Sequence, residues 1–428
     1  MTGLIMAAQL ILGLSILVLL HELGHFIAAK SFGIKVEKFY LFFDAWGFKL
    51  FKFNYKGTEY GIGWLPLGGY VKIAGMIDES MDKEAMKLPP QPWEFRSKPA
   101  WQRLIVMIGG VSVNLILGII LFTMIILVYE KEYVPNSAIT NGIYPYEIGE
   151  RVGFKPGDKI LQINGKDVVR FKDATSLSLF FGSEVMVERN GKNETIVIGD
   201  DAYEDFKTSE NKMLFEPNFP NFTVDSIVPK RPADLAGLKK GDRIISINDT
   251  IDAQKWPKFT SVIEKNRLKE IKLTFIRNSV DTQCVSLVVD SAGIGISRTI
   301  PDLPTEKYSF GQAIYYGWKD AVTMLKMNVV GLGKIFKGKE KATDSLQGPI
   351  GIAKIYGGVW NWGKFWFVTG LLSLILAFMN ILPIPALDGG HVIFLIIEAL
   401  TGKKFSDKFM ENAQMVGMVI LLALMAFA

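Results

Sequence analysis

In the stretch LVLLHELGHFIAA, Leu17 to Ala29, two histidines and a glutamate interrupt an otherwise apolar run. On a helix, His21 and His25 stand at i and i+4 and share one face. Their imidazole nitrogens can both reach one Zn²⁺ at about 2.0–2.1 Å. Glu22, one residue on, falls beside such a metal rather than on it. There it can take a proton from an attacking water and pass it to a leaving amine. The bland alternative is a pair of structural histidines with a snorkelling glutamate. It leaves an ionisable triad uncompensated at membrane depth, where such groups are costly and tend to be functional.

A catalytic zinc usually keeps three protein ligands and one open position. Asp44, 19 residues past His25, is one candidate for the third ligand. The better candidate is Asp388, in NILPIPALDGGHV (Asn380–Val392), which follows an uncharged run. Pro383 and Pro385 interrupt helical hydrogen bonding, and Gly389–Gly390 permits close helix approach. Broken backbone at membrane depth survives only where protein or a wet cavity surrounds it. His391, three residues on from Asp388, is expected to make an interfacial hydrogen bond rather than to ligate.

The elements that must position these residues are membrane helices. The 428 residues are 49% hydrophobic and 21% charged, with mean hydropathy +0.24, which suits spans joined to a soluble part. Four stretches carry no charged side chain: Met1–Leu20, Leu104–Val128, Phe365–Leu387 and Asn412–Ala428. About 20 apolar residues cross a bilayer, so four spans are expected. The first stretch lacks the basic start of a cleaved signal peptide, and HELGH stands where a cleavage site would be. Residues 26–103 hold twelve Lys and Arg, and Lys403, Lys404 and Lys408 lie in the last loop. By the positive-inside rule both segments face the cytoplasm and both termini face outward.

Between the second and third spans lies an internal repeat. VGFKPGDKILQING (Val152–Gly165) aligns with AGLKKGDRIISIND (Ala236–Asp249) at an offset of 84. That period is too long for a solenoid and fits two small domains in tandem. The pattern resembles PDZ domains, which bind peptides by strand addition, although neither copy shows a clear carboxylate-binding loop. Two β-rich spacers are the plainer reading. Cys284, the single cysteine, excludes an intramolecular disulfide and is expected to be a small buried side chain. The net charge of +5, without a basic stripe, points away from nucleic acid. Residues 56–76 read as a hairpin after the first span. Residues 309–336 read as an amphipathic helix on the membrane surface or against the repeats.

HELGH in the first span, GGYVKIAG, the tandem and NILPIPALDGGH together resemble the site-2 protease family, in its RseP-type branch with two PDZ domains. The resemblance covers nearly the whole chain. It implies that His21, His25 and Asp388 ligate one zinc per chain and that Glu22 is the general base. It implies that Asn380, Pro383 and Pro385 help hold an unwound substrate. Residues 58–76 match the hairpin that presents an edge to that substrate, here with Gly61, Gly63 and Trp64. One departure is GGVSVN (Gly109–Asn114), where many relatives carry a proline before the asparagine, which leaves the role of Asn114 open. The stretch 78–92 has no clear counterpart.

The expected fold is a polytopic α-helical membrane protein of four transmembrane helices with two extracytoplasmic PDZ-like domains inserted between helices 2 and 3. The segments are 1–30, the HExxH helix; 31–103, the cytoplasmic-side segment with the hairpin; and 104–129, helix 2. They continue as 135–218 and 219–300, the PDZ-like domains; 301–362, linker helices; 363–400, helix 3; and 411–428, helix 4. The expected function is intramembrane zinc endopeptidase at a bacterial inner membrane. It would cleave single-span proteins, such as trimmed anti-sigma factors or remnant signal peptides, with peptide segments as partners of the PDZ-like domains. A peptide-binding scaffold with a silent site would have lost one of the four site residues. A metal transporter would spread ionisable groups along the spans.

Overall fold

Thr2–Ser31 contains no proline and one basic residue, Lys30, in its last turn, and it forms a single helix, α1. At 1.5 Å per residue its 30 residues reach about 45 Å, more than a bilayer core of about 30 Å. The computed structural model describes residues 2–66, 68–76, 89–199, 201–209, 213–249, 251–338 and 348–427. The chain divides into two units, residues 1–131 with 308–428, and residues 132–307.

In the first unit, α1 leads into strands β1 (Val36–Leu41), β2 (Lys49–Tyr55), β3 (Thr58–Gly63) and β4 (Tyr70–Ile73). They form one sheet in the order β2-β3-β1-β4. Phe39 and Tyr60 turn one face of it onto Phe26 of α1. The expected hairpin is therefore a four-stranded sheet in which β3 is interior, parallel to β1 and antiparallel to β2. Of the segment 78–92, residues 78–88 lie outside the described residues.

Helix α2 (Ala100–Ile125) runs on through a π turn at Ile126–Glu130. Residues 309–336, expected as an amphipathic helix, form α3 (Phe310–Phe336). It packs lengthwise on the membrane helices, with Ala321, Met324 and Leu325 against Leu115, Ile119 and Phe122 of α2. Gly317 permits that approach, because a Cβ there would fall 2.3 Å from the Thr123 hydroxyl. Helices α4 (Pro349–Tyr356), α5 (Trp362–Ile381), α6 (Asp388–Thr401) and α7 (Asp407–Phe427) complete the unit. The expected third span, 363–400, is two helices, since Pro383 and Pro385 cannot donate to a helical ladder. Among the described residues three helices are long and apolar enough to cross a membrane: α1, Ala100–Glu130 and α5. Of the fourth expected span, residues 411–427 fall within α7, and 428 lies outside the described residues.

In the second unit the repeat is structural as well as sequential. The first copy has a sheet ordered Lys192–Ile198, Ser183–Arg189, Lys159–Ile163, Lys166–Asp167, and a separate pair Ile143–Pro145 with Phe215–Pro217. The second copy repeats it as Asp281–Val288, Glu270–Arg277, Arg243–Ile247, Ile251–Asp252, with the pair Val224–Ile227 and Ile296–Arg298. Each copy has its own apolar core. The shared motif has a physical reason in both. Asp158 accepts two bonds from Arg189, 2.7 Å each, and the Lys155 amide at 2.8 Å. Asp242 does the same with Arg277, at 2.8 and 2.7 Å, and with the Lys239 amide at 2.8 Å. Asn164 and Asn248 take positive φ, 52° and 55°, and each accepts a facing amide at 2.9 Å. Cys284 is exposed, contrary to expectation, because it alternates with Val285 and Leu287, which face the core, and so stands on the outer face of its strand.

Candidate active site

Three elements bring the chemistry together. Helix α1 supplies His21 and His25 one turn apart, and Asp388 is the first residue of α6, after the break at 382–387. The Asp388 Oδ2 atom lies 3.2 Å from His21 Nε2 and 3.4 Å from His25 Nε2, and the two Nε2 atoms are 3.2 Å apart. The three possible ligand atoms all lie within 4.8 Å of one another. Asp44, the other acidic candidate, is elsewhere: it accepts the Tyr70 hydroxyl at 2.8 Å and pairs with Lys38 at 3.5 Å.

The backbone explains the convergence. At Gly24 a Cβ would fall 2.4 Å from the Gly109 carbonyl oxygen, so α1 and α2 touch main chain to main chain there. At Gly110 a Cβ would meet His25 Nε2 at 2.4 Å and His21 Nε2 at 2.8 Å, inside the cluster. Past the broken segment, Cβ atoms at Gly389 and Gly390 would strike the carbonyls of Leu382 and Ile384. The Gly389–Gly390 pair therefore lets the loop with Pro383 and Pro385 fold back on α6 and aim Asp388 at the histidines. Ala386 takes φ 85° in the same bend.

The histidines are prepared as ligands. His25 Nδ1 donates to the Val106 carbonyl at 2.8 Å, which fixes the proton there and leaves a lone pair on Nε2. Two imidazole nitrogens and a carboxylate oxygen with no hydrogen-bond donor then face one another. Such a set of lone pairs is satisfied by a cation, and two nitrogens with one oxygen suit Zn²⁺. The donor set therefore fits the metal.

Asn380, at the end of α5, places Nδ2 3.3 Å from His21 Nε2. Sequence reasoning left Asn114 open. Its amide lies 3.2 Å from His21 Nδ1, and its Oδ1 is buried without a partner. Turned so that the oxygen accepts Nδ1–H, the amide satisfies that oxygen and frees Nε2. The signal available in the sequence was spacing: Gly110 and Asn114 are i and i+4 on one face of α2. His391 meets Gln414 of α7 at 3.1 Å, the interfacial role expected of it.

Glu22 projects toward the sheet: a Cβ at Gly69, just before β4, would stand 3.6 Å from its Cγ. Gly61, Gly63 and Trp64 do not form the open edge expected of them. Both sides of β3 are paired, and its glycines serve packing: a Cβ at Gly61 would strike the Tyr40 ring at 2.4 Å, and one at Gly63 the Phe43 carbonyl oxygen at 2.2 Å. The Trp64 indole donates to the Ala45 carbonyl at 3.0 Å. Among the described residues, the edge left without a strand beside Glu22 is that of β4.

Comparison with known proteins places the chain in one family. The family model described as peptidase family M50 matches residues 9–424. The chain is 29% identical over 439 residues to a regulator of sigma E protease of Haemophilus influenzae, covering 98% of this chain and 96% of the relative. It is 28% identical over 456 residues to a protease RseP of Yersinia pestis, and 28% identical over 455 residues to the regulator of sigma-E protease RseP of Escherichia coli K12, each with the same coverage. With a His-His-Asp cluster at its centre and a family match over nearly its whole length, the chain belongs to peptidase family M50, the site-2 proteases, and is a zinc metalloprotease.

Proposed function

We propose that His21, His25 and Asp388 hold one zinc ion per chain and that Glu22 moves the proton in hydrolysis of a peptide bond within the membrane span of a single-span protein. The observation that carries this reading is the convergence of the three ligand atoms on one point beside Glu22. Bound there, zinc would lower the pKa of its water towards about 7 and polarise the scissile carbonyl. The Glu22 carboxylate takes a proton from the attacking water and returns it to the leaving nitrogen. His25, anchored on Val106, and His21, beside Asn114, keep their Nε2 atoms turned to the ligand point.

A helix hides its scissile amides, so the substrate must unwind. Strand addition to the edge of β4 would hold the unwound segment beside Glu22, and Asn380 is close enough to donate to it. Pro383 and Pro385 shape the wall behind that segment.

The substrate class follows from the spans and the relatives. The charge distribution favours an inner-membrane protein with the sheet on the cytoplasmic side and both termini and the tandem outside. Relatives that are themselves named regulator of sigma E protease favour membrane-anchored anti-sigma factors, already trimmed outside, as substrates; remnant signal peptides are a second class. The tandem has no histidine and offers no imidazole chemistry. It acts as a PDZ-like filter that excludes a substrate with a bulky outer domain, and it is inserted between the second and third spans. Co-expression with single-span proteins that differ in outer bulk tests this. Wild type should cleave only the short-tailed form. Deletion of residues 135–300 should keep that activity and add cleavage of the bulky form. An inactive but folded and zinc-loaded deletion would assign the tandem to substrate delivery instead.

A further inference from the structure

Strand β4 is four residues long, lies at an edge, and follows Gly68–Gly69. Short edge segments beside glycine open readily. Yet this strand begins beside Glu22, and the proposed substrate strand would pair on its free edge. Something must hold its first residue still.

Tyr70 carries that load. Its ring stacks between Tyr40, at 5.4 Å and 15°, and Phe43, at 6.1 Å and 6°. Its hydroxyl donates to Asp44 Oδ1 at 2.8 Å. Burial and the Asp44 carboxylate push the Tyr70 phenol up, so it stays a donor. Asp44 is itself held by Lys38 at 3.5 Å and Lys49 at 3.9 Å, and Lys49 bridges to Glu59 at 2.8 Å. The Phe43 ring also lies over the glycines, since a Cβ at Gly68 would meet it at 2.8 Å. Phe43 is fixed from behind by paired backbone bonds with Leu65, at 3.2 and 3.3 Å. Phe42, just before it, takes φ 68°, an unfavourable conformation for a bulky residue.

We propose that Phe43 and Asp44 clasp Tyr70 and so hold β4 in register to receive the substrate strand. Asp44 and Tyr70 are positioning residues: they reach the reaction only through β4. This rests on substrate pairing at β4, proposed above. A rigid edge matters because ordering a strand during binding would be charged against affinity.

The test uses the full-length zinc-loaded protein in detergent and two probes. Acetohydroxamate engages the metal alone. A peptidyl hydroxamate adds an extended backbone able to pair with β4. In wild type the peptidyl probe should bind tighter by more than tenfold. Tyr70→Phe and Asp44→Ala should each weaken the peptidyl probe about tenfold, the scale of one charge-assisted hydrogen bond, and leave acetohydroxamate unchanged. Asp44→Asn, whose amide oxygen still accepts from the Tyr70 hydroxyl, should restore most of the loss. Equal weakening of both probes, or unchanged peptidyl binding, overturns the clasp. If wild type itself gains nothing from the peptidyl backbone, strand pairing at β4 is wrong, and the clasp falls with it.

Discussion

Asp158, Asp242 and Asp388 each keep a carboxylate oxygen out of water, and they are treated in two ways. In the tandem, Asp158 and Asp242 each meet an arginine through two bonds and a backbone amide through a third. In the membrane unit, Asp388 Oδ2 is buried without a single donor and faces two imidazole nitrogens. A buried carboxylate saturated by a guanidinium is a staple for a loop. One left to face lone pairs is a place for a cation. Asp44 stands between the two kinds: it has partners, but they are a phenol and two lysines on a sheet face.

The comparison can be broken at each aspartate. Asp388→Asn should remove most of the zinc and lower cleavage by about 10³-fold or more, the scale of losing one member of a catalytic unit. Metal analysis with a cleavage assay checks it, and retained zinc would return Asp388 to the structural class. Asp158→Asn or Asp242→Asn should do the reverse. Each leaves its arginine short of a charge partner and should destabilise its own copy by roughly 3–5 kcal/mol, with zinc unchanged. Hydrogen exchange within each copy of the full-length protein measures this. Asp44→Asn should leave zinc within error of wild type; a loss comparable to that in Asp388→Asn would move the third ligand to the sheet.

The smallest effect expected is one of pH. Lys49 and the Tyr40 hydroxyl hold the Glu59 carboxyl at about 2, below its ordinary 4.5. A depressed carboxylate stabilises the fold fully above its ordinary value and loses that contribution as pH falls towards about 2. The sheet should therefore show no change in exchange protection between pH 7 and 5 from this group, and should loosen only below about 4. In Glu59→Gln the low-pH loosening should shrink.

Much of the site was legible in sequence because its spacing is local. HELGH on a helix dictates two histidines on one face. The prolines around residue 384 dictate a helix break, and Gly389–Gly390 after it dictates close approach. The tandem was legible because its repeated Gly-Asp and Asn-Gly or Asn-Asp turns demand the same residues twice. What sequence could not supply was pairing across distance. Nothing local says that β1 inserts between β3 and β4, which makes β3 interior and takes Gly61, Gly63 and Trp64 off the edge. Nothing in the periodicity of residues 309–336 names α2 and α5 as the surface they cover. Cys284 sits in an apolar run, but it shares the outer face of its strand with Thr282 and Ser286. Asn114 acquires meaning only once α1 and α2 touch at Gly24 and Gly109.

On this reading the donor cluster is a metal centre whose hydrolytic chemistry turns on one carboxylate. Purified wild type and Glu22→Gln, assayed together for zinc content and for cleavage of a single-span substrate, test it most directly. The amide keeps the shape of the side chain but cannot accept the proton. Both proteins should carry one zinc per chain, and the variant should cleave slower by about 10²- to 10⁴-fold or more. A zinc-loaded Glu22→Gln enzyme that cleaves at the wild-type rate would contradict it.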